Sequence, residues 1–221
     1  MKHRGKYLVM FVVLMTGCER PIPVSDVTPP VVGYEVQGTV TDQIGNPVPN
    51  VKISVDYYWS SVYADSAATR SYFVSDPTAS VQAVVANWNG DIIRVLTQPQ
   101  THYGTYEVLW DGKDSTGFLP PSGIYYVEYL VNGVLRFSYN QIVTGGQVAV
   151  TNAQGQYTIP IQYLPVDSSS VPLFSSYDST YVGNIIISNQ VIFTFSYPTN
   201  VHQIQRTLTK GQITIINLVL Q

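Results

Sequence analysis

At 221 residues, with 11 Lys and Arg against 14 Asp and Glu and a formal net charge of −3, the chain lacks the clustered positive charge that a phosphate backbone requires, which argues against a nucleic-acid partner. Charged residues make up 11 %, where a soluble domain usually carries roughly 25 %, and 17 tyrosines with abundant Ser, Thr, Val and Gly stand in their place. Such a composition favours pleated strands and tight turns over helices, and the length suffices for one large or two small domains with their own cores.

The first element in chain order is a secretory signal over residues 1–17. Lys2, His3, Arg4 and Lys6 precede nine apolar residues, Tyr7 to Met15, and the small residue Gly17 stands before the only cysteine, Cys18. A membrane-spanning helix needs about 20 apolar residues, so this run is too short to be an uncleaved anchor. With no second cysteine, Cys18 has no disulfide partner within the chain. The ending Leu14-Met15-Thr16-Gly17-Cys18 resembles the lipobox of bacterial lipoproteins. That resemblance implies cleavage before Cys18, thioether attachment of a diacylglycerol to it, and N-acylation. Glu19 follows where an Asp is the usual inner-membrane retention signal, so the resemblance further implies an outer-membrane address in the cell envelope. Residues 18–33, with Pro21, Pro23, Pro29 and Pro30, read as a tether holding a folded body off the membrane.

Alternating strands follow. Tyr34 to Val40 is a first strand, Asp42-Gln43-Ile44-Gly45-Asn46-Pro47 its turn, and Val51, Ile53 and Val55 face one side of a second strand through Asp56. The stretch VQGTVTDQIGNPVPNVKISV resembles the opening of the carboxypeptidase regulatory-like domain. That family is a small transthyretin-like β-sandwich, and it is the non-catalytic accessory of carboxypeptidases. Its expected next strand pair lies far downstream, as Val148-Ala149-Val150-Thr151-Asn152-Ala153-Gln154-Gly155-Gln156-Tyr157-Thr158-Ile159-Pro160.

A different unit lies between. Val81 to Ala86, the turn Asn87-Trp88-Asn89-Gly90-Asp91, Ile92 to Leu96, Trp110-Asp111-Gly112-Lys113-Asp114-Ser115-Thr116-Gly117 and Pro121-Ser122-Gly123-Ile124-Tyr125-Tyr126-Val127 occur in an order that resembles the FlgD-like Ig-like domain. The expectation is therefore an all-β chain of two β-sandwiches, one Ig-like and one transthyretin-like. The Ig-like unit, residues 72–144, is inserted in a loop of the other, which comprises residues 34–62 and 147–221. Insertion at an exposed loop is tolerated because closure entropy grows slowly with loop length. Val191, Phe193, Phe195 and Tyr197 form a further alternating strand, KGQITIINLVL the closing one, and the Ser-rich segment Pro165 to Gly183 an extended surface loop.

The sequence supplies few groups for chemistry. Asp91, Asp111 and Asp114 belong to turns, because Lys113 stands among them and the alternating acids of a calcium loop are missing. Trp110 is expected in a core. Tyr57, Tyr58, Trp59 and Tyr63 sit where one unit passes into the other; alternation sends only some of them inward, which leaves the rest as contact residues for a glycan or protein or as packing between the units. No nucleophile elbow, zinc-binding helix motif or nucleotide loop occurs, and the histidines after the signal, His102 and His202, fall in different units. No enzyme activity, catalytic residue, metal or cofactor is expected. The expected partners are the membrane, through the lipid on Cys18, and a protein or glycan. The function expected is a structural or adhesion-like binding module, with a carbohydrate-binding accessory or a component of a surface-organelle or secretion assembly as alternatives.

Overall fold

The computed structural model describes residues 33–62, 68–167, 171–175, 180–198 and 200–221. Cys18, the signal segment, the tether up to residue 32 and Tyr63 lie outside the described residues. In chain order the strands are β1 (Tyr34–Thr41), β2 (Lys52–Val62), β3 (Tyr72–Val74), β4 (Ser80–Ala86), β5 (Ile92–Thr101), β6 (Gly104–Tyr106), β7 (Gly123–Val131) and β8 (Val134–Val143). They continue as β9 (Gln147–Val150), β10 (Gln156–Ile159), β11 (Val171–Phe174), β12 (Tyr181–Tyr197), β13 (Asn200–Thr207), β14 (Gln212–Ile215) and β15 (Leu218–Val219). A single 3-10 turn at Ile161–Tyr163 is the helical element among the described residues. The chain is all-β, and no described helix is long and apolar enough to cross a membrane.

Two hydrophobic cores form. The first draws on residues 34–57 and 148–220, and the second on residues 74–143. In the first sandwich, one sheet has β1 at its centre, antiparallel to β10 on one edge and parallel to β14 and then β15 on the other. The facing sheet runs β9-β2-β12, with β11 and β13 following one another along the far side of β12. Val51, Ile53 and Val55 are fully buried, as period-two alternation requires, and Val191, Phe193 and Phe195 answer them from β12. Tyr197, placed in the same alternation, is 39 % exposed because β12 has by then passed the edge of the core. The turn after β1 is closed by Asp42, whose Oδ1 accepts the Ile44 and Asn46 N–H groups at 3.0 and 2.8 Å.

The second sandwich sets a β5-β4-β7-β8 sheet against the β3-β6 pair. Tyr125, Val127 and Tyr129 turn inward along β7, and Trp110 is buried with its Nε1–H donated to the Lys113 carbonyl at 2.6 Å. Tyr106 and Tyr129 pack edge to face with centroids 5.1 Å apart.

Two sequence expectations are corrected. The Ser-rich segment 165–183 is not wholly a loop: β11 lies within it and pairs Val171 with Ile185 of β12. β11 lacks an alternating pattern of its own, and the ladder of β12 supplies its partner. The closing stretch is also not one strand. It breaks at Ile216 and Asn217, where Ile216 turns inward and Asn217 Oδ1 accepts the Thr39 N–H at 3.0 Å.

Candidate functional site

The aromatic run on β2 divides by burial. Tyr57 keeps the inward register of Ile53 and Val55, is only 5 % exposed, and donates its hydroxyl to the Tyr163 carbonyl at 2.8 Å. Burial holds that hydroxyl's pKa well above the ordinary tyrosine value. Tyr57 is therefore a core residue rather than a ligand contact, and the reason is strand alternation carried on past Asp56. Tyr58 and Trp59, by contrast, are 42 % and 52 % exposed. β2 runs on beyond the core here, its pairing with β12 shifting register between Ile187 and Val191. Tyr58, whose hydroxyl lies 3.5 Å from Gln205 Oε1, and Trp59 are open to solvent, while Tyr63 and Cys18 lie outside the described residues.

The two sandwiches meet along a backbone seam. Ser122, fully buried, places its hydroxyl 2.6 Å from the Val55 carbonyl oxygen and 3.0 Å from that of Gly146. The Gly145 N–H also donates to Val55, at 3.0 Å. A β-carbon at Gly146 would fall 2.0 Å from the Pro120 carbonyl oxygen, so the two backbones approach here as only glycine permits. Ile124 and Ile142, although they belong to β7 and β8, pack against the first core.

Beside this seam lies a cleft made of two cavities, of 360 and 380 Å3. Trp88, Ile124 and Gln162 line both. Trp88 stands 53 % exposed on the β4–β5 turn. Asn87 ties that turn: its Oδ1 accepts the N–H groups of Asn89 and Asp91, each at 2.9 Å, and its Nδ2 donates to the Asp91 carboxylate at 3.0 Å. Tyr34 and Asp167 also line the second cavity, where the Tyr34 hydroxyl donates to the Asp167 carboxylate. That bond foremost, with burial and the negative charge, pushes the Tyr34 pKa up to about 12. The sequence marked Trp88 only as part of a turn; an aromatic inside an Asn- and Gly-rich turn, with no strand to bury it, was the available signal.

The aspartates of the second sandwich serve the chain itself. Asp111 pairs with Arg94 at 2.6 Å, a surface contact of small energetic weight. Asp114 Oδ1 accepts the Thr116 hydroxyl at 2.6 Å and the N–H groups of Thr116 and Phe118 at 2.8 and 3.1 Å. Among the described residues no group of three or more His, Cys, Asp or Glu side chains gathers to hold a metal ion. The Thr116 hydroxyl, followed by the backbone donors, holds the Asp114 carboxyl below its ordinary pKa. A carboxyl whose folded-state pKa is depressed stabilises the fold above the ordinary value of about 3.9, and that contribution is lost as pH falls through the depressed one. Urea midpoints measured from pH 6 downwards are therefore expected to fall less steeply below about pH 4 in Asp114→Asn than in the wild type. Equal slopes would contradict the assignment.

The body is all-β, with two cores and an exposed aromatic cleft. Residues 60–130 match the FlgD Ig-like domain model, so this segment, which spans β3 to β6, the end of β2 and nearly all of β7, is similar to that module. No curated protein and no solved structure matches the chain.

Proposed function

We propose that this chain is a non-catalytic lipoprotein of a bacterial cell envelope, held to the outer membrane by lipid on Cys18 and presenting a structural or adhesion-like binding module. The observation that carries the reading is the order of basic residues, short apolar run, Gly17 and Cys18, followed by a Pro-rich stretch that leads to Gly33 and β1. The first sandwich is, in this reading, a carboxypeptidase regulatory-like domain, supported by the VQGTVTDQIGNPVPNVKISV opening and by its partner pieces in β9 and β10.

Metabolic labelling with radioactive palmitate is the direct test. The wild type is expected to take up label and to sediment with membranes, and Cys18→Ser to lose both properties. An unlabelled wild type that stays in the soluble fraction would remove the anchor from the reading.

The exposure of Tyr58 and Trp59 favours a second reading, carbohydrate recognition by an accessory lipoprotein. A role in a surface-organelle or secretion assembly rests on the FlgD-like match alone.

A further inference from the structure

We propose that the cleft beside the seam, rather than the end of β2, is a binding site for a neutral oligosaccharide, with Trp88 as its stacking platform. The proposal deepens the binding-module reading by naming a ligand class and a place for it.

Three observations carry it. The first is shape: two cavities, of 360 and 380 Å3, share Trp88, Ile124 and Gln162, so they lie in tandem along the seam. Each is at the lower end of the size range for small-ligand pockets, and a tandem suits a ligand built of repeating units.

The second is the state of Trp88. Its ring is more than half exposed, makes no ring contact among the described residues, and is mounted on a turn whose conformation Asn87 fixes. An indole has only two side-chain torsions to order on contact and gains apolar burial when covered. The C–H face of a pyranose ring provides such a cover.

The third is the polar lining. The side chains of Asn89, Gln162 and Lys210 make no hydrogen bond among the described residues, and all three line the cleft. Each amide offers donors and an acceptor together, which is the complement of a hydroxyl group. Asp114 and Asp167 add carboxylates beside the one lysine, a lining that opposes an anionic ligand by like-charge repulsion. A proline-rich peptide would also stack on an indole, but its prolines bring carbonyl acceptors and no N–H donors, so the side-chain amide oxygens of Asn89 and Gln162 would be desolvated without partners.

The test uses the full-length protein in detergent, titrated by calorimetry with cellohexaose, maltohexaose and chitohexaose. A decaproline peptide and a hexagalacturonate serve as contrasts. At least one neutral hexasaccharide is expected to bind. Trp88→Ala, at an exposed turn, is expected to weaken that binding by about tenfold or more, Gln162→Ala to weaken it less, and Trp59→Ala to leave it unchanged. Absence of heat with all three neutral sugars into the millimolar range overturns the proposal. So does binding of the peptide or the anionic sugar alone, or binding that Trp59→Ala abolishes and Trp88→Ala does not. Palmitate labelling is read separately, so failure here leaves the anchor unaffected and failure there leaves the cleft to be judged on its own titration.

Discussion

Gly38→Ala is expected to destabilise the protein by at least about 3 kcal/mol, at the upper end of what overpacking a well-packed site costs. A β-carbon at Gly38 would lie 1.8 Å from the Ile216 carbonyl oxygen and 2.7 Å from its carbon, and both are backbone atoms with no rotamer to change. Their position is itself held. Ile216 is buried, its N–H donates to the Gln37 carbonyl at 2.9 Å, and its carbonyl accepts the Tyr157 hydroxyl at 2.8 Å. Relieving the clash therefore means moving the closing strand off β1 and drawing Ile216 out of the first core. Urea unfolding measured by circular dichroism gives the check. A midpoint within experimental error of the wild type would mean that this close approach does not exist in solution.

Phe195→Ala is expected to cost about 3–5 kcal/mol, the range for truncating a buried phenylalanine. Phe195 is fully buried on β12, and its ring meets Tyr157 of the facing sheet edge to face with centroids 5.6 Å apart. Truncation removes the aromatic pair and opens a void between the two sheets of the first sandwich, where little can collapse to fill it. The loss is expected to be unequal along the chain. Amide exchange is expected to accelerate most in β1, β2 and β12. Exchange in β4 and β7 is expected to change less, because Val81, Val85, Val127 and Tyr129 belong to a separate core. A uniform acceleration throughout would show instead that the two cores open as one cooperative unit.

Much of this fold was legible because period-two patterning is a local signal. Val51, Ile53 and Val55 announced their face, Asp42 its turn, and the pieces around Trp110 an Ig-like order with that indole inside. Where the signal failed, the deciding contact lay elsewhere in the chain. The aromatic run Tyr57-Tyr58-Trp59 has no alternation of its own: Tyr57 continues the inward register of Ile53 and Val55, but Trp59 does not, because the pairing of β2 with β12 shifts register between Ile187 and Val191. β11 exists because β12 offers it an edge, and the break at Ile216 because β1 presents Gly38. The cleft is the extreme case. Trp88 reaches it from the β4–β5 turn, Gln162 from a 3-10 turn of the other sandwich, and Lys210 from the loop before β14. No window of sequence contains the three together.

The parallel pairing of β1 with β14 and β15 has a mechanical consequence. Tyr34 to Gln37 lie against Gln212 to Ile215, Val40 and Thr41 lie against Leu218 and Val219, and β10 holds the opposite edge from Val36 to Thr39. A pull on the chain ahead of Tyr34 acts along the axis of β1, at right angles to the hydrogen bonds on both its edges. Those bonds are then loaded in shear and share the force, whereas a strand pulled away sideways would surrender them one at a time. A body fastened to a membrane through its first strand would therefore resist tension between anchor and ligand as a single stiff joint. Detachment would require that whole strand to slide past β10 on one edge and β14 and β15 on the other at once.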